Sequence, residues 1–415
     1  MSQETLAYED ALRIVLGASA KLRAEHCPLG ACLGRVLATP VISAVNLPPF
    51  HNSAMDGFAL TGNAIVPAGT ELAIEGEQAA GDGVTYAGIG AWEIMTGARI
   101  PDGLDRVIPV EQTERFAPSR VRLLADVAAG QNVRMAGSDV MRGEQVLGAG
   151  TALQAQHLML LAALGVADVA VTQRPRVAVI CTGRELIDDP AQPLAPGQIR
   201  NSNGPFLAAR LPLAGAEVVH TETVGDDAEA FEAALRRAWQ AGAKIIVTSG
   251  AVSMGRYDFV PQALERLGAE TLFHKVAIRP GKPLLFARLP GDVLLFGLPG
   301  NPIAVAVGLR FFVEPALRAM LGLPQESPRR ATLINRYSKK PRLRFHLKSR
   351  LHLDAHGHLG VEILEGQESY RIRPLADANA WAVMPAEADV LAAGALVDVY
   401  GVGHLEFPLP CGSTP

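Results

Sequence analysis

The residues best suited to chemistry gather at the carboxyl ends of three apolar runs. RVAVICTG (176–183) leads into Thr182, Gly183, Arg184 and Glu185. KIIVTSG (244–250) leads into Ser249, Gly250, Ala251, Val252, Ser253, Met254 and Gly255. VLLFG (293–297) leads into LPGNP, with Pro299, Gly300 and Asn301. Glycine lets backbone N–H groups approach an anion closely, and a following helix start adds its positive dipole. Three such loops on one edge would build a phosphate-type pocket. Each loop alone also reads as a plain turn: Gly300-Asn301-Pro302 is a turn, an N-cap and a first-turn proline. Their coincidence favours the pocket. HKVAIRPGKP (274–283) places Lys275, Arg279 and Lys282 around Pro280-Gly281, cations that suit a phosphate or another oxyanion, or else a solvated hairpin. Glu185, Asp226 or Asp227, and Asp258 each lie just past an apolar run. Carboxylates beside a phosphate pocket suit a hydrated Mg²⁺, while helix capping is the alternative for the 226–227 pair. His51, His157 and His274 are isolated and suggest no transition-metal cage.

The elements that must position these groups follow from the pattern. RVAVICTG is a continuous apolar run, as expected of a strand buried on both faces. A helix follows from near Asn203, with Pro205 in its first turn. AEVVHTETV (216–224) is the next strand, Asp226 and Asp227 sit where an N-cap belongs, and a helix spans 228–242. KIIVTSG and VLLFG are further strands, the latter leading into a helix from Pro302 to Met320. Strands alternating with helices predict a doubly wound parallel sheet over 173–325, with ligands beyond its carboxyl ends. After Pro324 the strands become short and polar-alternating, as in RATLINRYS (330–338) and GHLGVEILE (357–365), which predicts a small β domain over 326–410. The basic run RYSKKPRLRFHLKSR (336–350) reads as a solvated sheet face. Upstream, residues 47–132 form a small β-rich unit, with ELAIEGE, WEIMTGARIPDG and RVIPVEQT as short runs cut by Gly and Pro. It is inserted between 1–46 and 133–172, two pieces of one split unit. Those pieces carry helical spacing over 7–24 and a helix from Gln154 to Leu164, closed by Gly165.

Composition bounds the reading. A chain of 415 residues suggests two to four domains, and 49% hydrophobic with 19% charged residues suits packed cores. The formal net charge of −4 gives no field that would draw nucleic acid or an anionic membrane. Cys27, Cys32, Cys181 and Cys411 lack zinc-ligand spacing, and so few thiols suit a reducing cytoplasm. The acidic opening MSQETLAYED is not expected to be a signal peptide, and the apolar run 157–171, interrupted by Gly165 and Asp168, is too short to span a bilayer.

Seven motifs occur in order: NLPPFHNSAMDGFAL, IMTGARIPDG, VIPVEQT, TGREL, TSGAVSMGRYDFV, FHKVAIRPGKPLLF and GLPGNPIAV. Together they resemble the MoeA family of molybdopterin molybdenumtransferases, similar to the E domain of gephyrin, from Ala7 to about Pro410. The resemblance implies an elongated homodimer of four-domain subunits: the split domain, the inserted β domain, a molybdopterin-binding α/β domain and a β-barrel-like C-terminal domain. It implies an active cleft between the α/β domain of one subunit and the inserted domain of its partner. The implied reaction joins molybdate to the dithiolene of adenylylated molybdopterin, with Mg²⁺-assisted hydrolysis of the adenylyl bond and release of AMP. Carried over, Asp56, Thr96, Glu185, Asp226, Asp258, Lys275 and Lys282 are the functional polar set, and Glu185, Asp226 and Asp258 hold the metal. Thr182, Gly183, Ser249, Gly250, Ser253, Gly255, Arg279, Pro299, Gly300 and Asn301 bind the cofactor. A molybdopterin adenylyltransferase and molybdoenzyme apoproteins are the implied partners. The chain departs from the family pattern at His51 (Asp), Ser138 (Glu), Ala251 (Gly), Arg256 (often an acid) and Arg373-Pro374 (a serine pair). Adenylyl transfer to molybdopterin and a non-catalytic scaffold or cofactor carrier are the rival functions.

Overall fold

The computed structural model describes residues 5–251, 259–339, 342–406 and 411–412. The chain divides into two compact units, one of residues 26–33 and 39–170, the other of residues 1–25, 34–38 and 171–415. The larger unit opens with helix α1, Tyr8–Ala18. Among the described residues, no helix is long and apolar enough to cross a membrane.

The smaller unit is built on strands β1 (Gly57–Leu60), β2 (Glu71–Gln78), β3 (Ala91–Ile94), β4 (Arg106–Pro109), β5 (Thr113–Ala117) and β6 (Arg120–Leu123). They form one sheet in the order β4-β1-β3-β2-β6-β5. Phe58, Leu60, Ile108, Val121 and Leu123 pack as its core. Helix α2, Ala155–Ala163, lies within the predicted span and is followed by Gly165 at φ 73°; its start is set by a capping box that sequence reasoning missed, in which the side chains of Gln154 and His157 each meet the other's backbone N–H.

In the larger unit the apolar runs become strands β7 (Arg176–Thr182), β8 (Glu217–Val224), β9 (Ile245–Ser249), β10 (Glu270–His274), β11 (Leu285–Leu289) and β12 (Val293–Leu298). Helices α3 (Asn203–Leu213), α4 (Ala228–Gln240) and α5 (Val260–Arg266) connect them. Successive residues of β7 serve opposite faces. Val177, Val179 and Cys181 meet Leu207 and Leu211 of α3, while Ala178 and Ile180 meet Phe231 and Leu235 of α4. Each such buried aliphatic or aromatic side chain contributes roughly 1.5–3 kcal/mol. The sheet order is β8-β7-β9-β12-β11-β10. It is parallel from β8 to β12, but β11 pairs antiparallel with both β12 and β10, which corrects the expectation of a wholly parallel sheet. Only Pro290, Gly291 and Asp292 join β11 to β12, the last two at positive φ, and three residues turn a hairpin but cannot make a parallel crossover.

The helix expected from Pro302 to Met320 is interrupted. It runs as α6 (Pro302–Gly308), a π turn at Leu309–Val313 and α7 (Glu314–Leu321). Pro315 supplies no N–H to the carbonyl one turn back, and the wider turn absorbs the misfit.

The C-terminal strands β13 (Arg329–Leu333), β14 (Arg344–Leu353), β15 (Leu359–Ile363), β16 (Ala380–Met384) and β17 (Leu396–Gly401) close into a barrel, in the order β14-β15-β13-β17-β16 and back to β14. The basic run is a solvated face only in part, with Arg336, Ser338 and Arg342 exposed. Phe345 through Ser349 are buried. Phe345 and Leu347 fill the barrel, whereas His346 on the other face stacks on Phe311 at 4.1 Å and nears Tyr8 of α1 at 5.5 Å.

Beyond β17, His404 locks this end of the unit. Its Nε2 donates to the carbonyl of Ala214 at 3.0 Å, leaving Nδ1 facing the Arg318 guanidinium at 3.3 Å. Burial, then the charges of Arg318, Arg310 and Arg210, push its pKa down to about 3. Its N–H donates to the wholly buried Glu314, whose own pKa burial raises to about 7. The two groups oppose each other in pH. The lowered histidine gives stability that is present above about 6.5 and lost as pH falls toward about 3, while the raised carboxyl gives stability present below about 4.5 and lost as pH rises through about 7. Comparing wild type with His404→Gln cancels the Glu314 contribution. Urea unfolding across this range is expected to show the wild-type advantage shrinking by about 1.4 kcal/mol per pH unit between pH 6 and pH 4. A pH-independent difference would remove His404 as the titrating lock.

Candidate active site

Hydrogen bonds from the main chain and from the Thr182 hydroxyl carry the parallel ladder past its last residues and so set the loops side by side. Gly183 N–H donates to Val224 O at 3.0 Å, Thr182 Oγ1 to Ser249 O at 3.1 Å, and Gly250 N–H to Leu298 O at 3.0 Å. Gly250 sits at φ 97°, and a Cβ there would lie 2.5 Å from both the carbonyl oxygen and the hydroxyl of Thr182. Beyond these ends lies a cavity of about 800 Å³. Its lining includes Thr182, Glu185, Asp226, Ser249, Gly250, Ala251, Pro299, Gly300 and Asn301. The three glycine-bearing loops and two of the three proposed carboxylates therefore share one space.

The aspartate pair divides its work. Asp227 is the N-cap of α4, its Oδ1 accepting the Ala230 N–H at 2.7 Å. Asp226 lines the cavity, and its Oδ2 receives the Arg184 N–H at 3.4 Å. Glu185 folds back over Gly183, where a Cβ would meet its carboxylate oxygens at 2.7 and 2.8 Å. Asn301 holds the N-cap position of α6 but makes no side-chain cap bond, so its presence in the wall is not explained by capping.

Asn201, Asn203, Arg200, Tyr370 and Ile372 also line the cavity, and sequence reasoning missed them. Asn203 Nδ2 donates to Gly300 O at 2.8 Å, fastening the third loop to the start of α3. Asn201 Nδ2 bridges Asp188 and Thr223 at 2.9 and 3.0 Å. The signal available was the amide-rich stretch RNSNG at a helix start, which reads equally as capping.

Asp258, Ser253 and Gly255, with the departure at Arg256, lie outside the described residues. Ala251, where the family pattern has glycine, takes φ 52°. Lys275, Arg279 and Lys282 are not brought into the cavity lining. Lys275 has φ 78° and bonds Leu284 O through its N–H, Lys282 is exposed, and Arg279 lies over the Phe345 ring at 5.5 Å. Pro283, the next residue after Lys282, does line it.

In the smaller unit two plain-looking motifs form one structure. Ser53 and Gly97-Ala98 exchange backbone bonds of 2.8 and 2.9 Å. Asp56 Oδ1 then accepts both the Thr96 N–H at 2.6 Å and its hydroxyl at 2.8 Å, and these bonds hold the Asp56 carboxyl below the usual carboxylate range. His51 uses Nδ1 to accept the Ala136 N–H at 3.0 Å. Ser138 closes a turn onto Met135 O at 3.1 Å.

The oxygen-only donors of the cavity, two carboxylates with neither histidine nor cysteine among the lining residues, suit a hard cation such as Mg²⁺. Gly250→Ala is expected to cost about 2 kcal/mol or more, from the left-handed backbone and the clash together. Gly197→Ala, also at positive φ but with open space around its Cβ, is expected to cost only the backbone share, about 1 kcal/mol. Equal losses of denaturation midpoint would mean that the approach of Gly250 to Thr182 does not constrain the site.

Comparison with known proteins gives the family. Three family models match in succession: MoeA N-terminal region (domain I and II) over residues 6–165, a probable molybdopterin binding domain over 178–319, and MoeA C-terminal region (domain IV) over 330–402. A molybdopterin molybdenumtransferase of Synechococcus elongatus is 38% identical over 405 residues, covering 95% of this chain and 99% of the relative. Molybdopterin molybdenumtransferase 2 of Mycobacterium tuberculosis is 37% identical, covering 94% and 97%. The crystal structure of the molybdopterin biosynthesis MoeA protein of Pyrococcus horikoshii OT3 matches with a TM-score of 0.79 at 27% identity, over 95% of this chain and 99% of that one. With near-complete coverage at this identity, the chain belongs to the MoeA family of molybdopterin molybdenumtransferases.

Proposed function

We propose that this enzyme inserts molybdate into adenylylated molybdopterin, with hydrolysis of the adenylyl bond and release of AMP. The observation that carries this reading is the cavity that gathers Thr182, Ser249, Gly250, Gly300 and Asn301 beside Glu185 and Asp226. Glycine-lined strand ends bind phosphate through backbone N–H groups, and the paired acids supply the negative charge that a phosphate-bound cation needs.

Glu185 and Asp226, with Asp258 from the family pattern, would hold Mg²⁺, which neutralises charge on the phosphates when bound. The same acids orient the attacking water by accepting its hydrogen bonds. Lys275, Arg279 and Lys282 hold the anionic substrates by charge. Support for this is the position of Pro283, which brings the segment that carries them to the cavity rim. Asp56 stays ionised against the Thr96 donors and takes part in the reaction as a fixed acceptor. The enzyme works as a homodimer in the cytoplasm, where its sparse thiols stay reduced. It receives adenylylated substrate from a molybdopterin adenylyltransferase and passes product to molybdoenzyme apoproteins.

The test is AMP release from adenylylated molybdopterin by the purified protein. Release is expected to require both molybdate and Mg²⁺. Glu185→Gln, Asp226→Asn and Asp258→Asn are each expected to slow it by about 100-fold or more, and Asp56→Ala to slow it as well. Wild-type rates in the three acid variants would overturn the assignment. Formation of adenylylated product from molybdopterin and ATP would instead identify the preceding adenylyl transfer, and binding without AMP release would identify a carrier.

A further inference from the structure

Lys348 is fully buried in β14, facing away from the barrel interior. A buried ammonium is tolerated only when its donors are met. Here they are met by main chain: Nζ donates to the carbonyls of Gly366 at 2.6 Å, Arg371 at 3.0 Å and Glu368 at 3.4 Å. Three carbonyls of one irregular segment thus converge on one cation. Gln367 adds a second tie. Its Oε1 accepts the Lys348 N–H at 3.0 Å and its Nε2 donates to the Lys348 carbonyl at 2.8 Å. On its other side the segment is fastened to the candidate site, because Ser369 O accepts the Ile303 N–H at 3.0 Å in the first turn of α6, just past Gly300-Asn301-Pro302.

Between these anchors the segment contributes Tyr370 and Ile372 to the cavity wall. Tyr370 is 63% exposed, so apart from a hydrogen bond between its hydroxyl and Arg371 little side-chain packing fixes it, and its placement depends largely on the backbone behind it. An exposed aromatic ring on the wall of a polar cavity is a ready platform for a flat heteroaromatic ring.

We propose that Lys348 is a positioning residue, clamping segment 366–371 through its carbonyls so that Tyr370 forms the wall on which a planar heterocycle of the substrate stacks. This rests on the proposed function, whose substrate carries two such rings, adenine and pterin. Either would present the same face to Tyr370. A merely structural lysine would lower stability and turnover together, whereas a positioning lysine acts on substrate affinity through Tyr370.

The test uses the full-length enzyme. Tyr370→Ala is expected to raise KM for adenylylated molybdopterin about tenfold, one stacking contact's worth, with kcat changed much less. Lys348→Met, which keeps the volume and removes the donors, is expected to raise KM similarly, and Gln367→Ala to do so more weakly should Lys348→Met fail to fold. The double variant of Tyr370→Ala with Lys348→Met, or with Gln367→Ala, is expected to match Tyr370→Ala alone. Calorimetric titration with AMP assigns the ring: weaker AMP binding in Tyr370→Ala marks adenine, and unchanged AMP binding with raised KM marks the pterin. An unchanged KM in Tyr370→Ala, or fully additive effects in the double variant, would overturn the proposal. A wild-type enzyme that releases no AMP would sink the proposed function instead, and AMP titration would still report on Tyr370.

Discussion

The site depends on the register of four parallel strands. Cys181 lies opposite Ser249, Ser249 opposite Leu298, and Thr182 opposite Val224. Because the strands end level, the loops that follow them open onto one space, and the bonds from Gly183, Thr182 and Gly250 extend that alignment into irregular chain. A slip of one residue would send every side chain to the other face of the sheet and draw Ser249 away from Thr182. The fit of Val177, Val179 and Cys181 against α3 and of Ala178 and Ile180 against α4 resists this, so packing far from the cavity helps set its geometry.

Function within that frame comes from residues released from structural duty. Asp227 satisfies the start of α4, which leaves its neighbour Asp226 at the cavity. Asn203 fastens the third loop through Gly300 O, and the Ile303 N–H in the first turn of α6 is met by Ser369 O rather than by the Asn301 side chain. Asp56 and Thr96 show the same economy in the other unit, where one carboxylate oxygen accepts two donors from a single threonine.

How much of this could be read in the sequence varied with the kind of contact. β7, β9 and β12 were legible because burial on both faces demands unbroken apolar runs. Glu185 was legible as a carboxylate just past a strand end, whereas Asp226 was legible only as one of a pair whose other member, Asp227, caps α4. The antiparallel edge was not, since β11 is as apolar as the parallel strands and only the short Pro290-Gly291-Asp292 turn betrays its direction. Nor was the burial of His346 and Lys348. A basic run looks solvated until it is known that Tyr8 and Phe311 cover one residue and that backbone carbonyls surround the other. Asn201, Asn203 and Tyr370 were silent for a different reason: amides and tyrosines have so many roles that position alone singles out none.

The departure at Arg373-Pro374 takes on meaning in this light. The family pattern expects two serines there, hydroxyls able to reach a ligand. In this chain Pro374 begins the short helix Arg373–Asp377, and Arg373 is ion-paired to Asp377 within it. Neither Arg373 nor Pro374 is among the residues that line the cavity. The contribution of this segment to the cavity then falls on Tyr370 and Ile372, which bring shape rather than charge. Shape binds only if it is held still. In a segment whose side chains are largely exposed, a buried cation gripping three carbonyls from behind holds it together with the Gln367 and Ser369 ties.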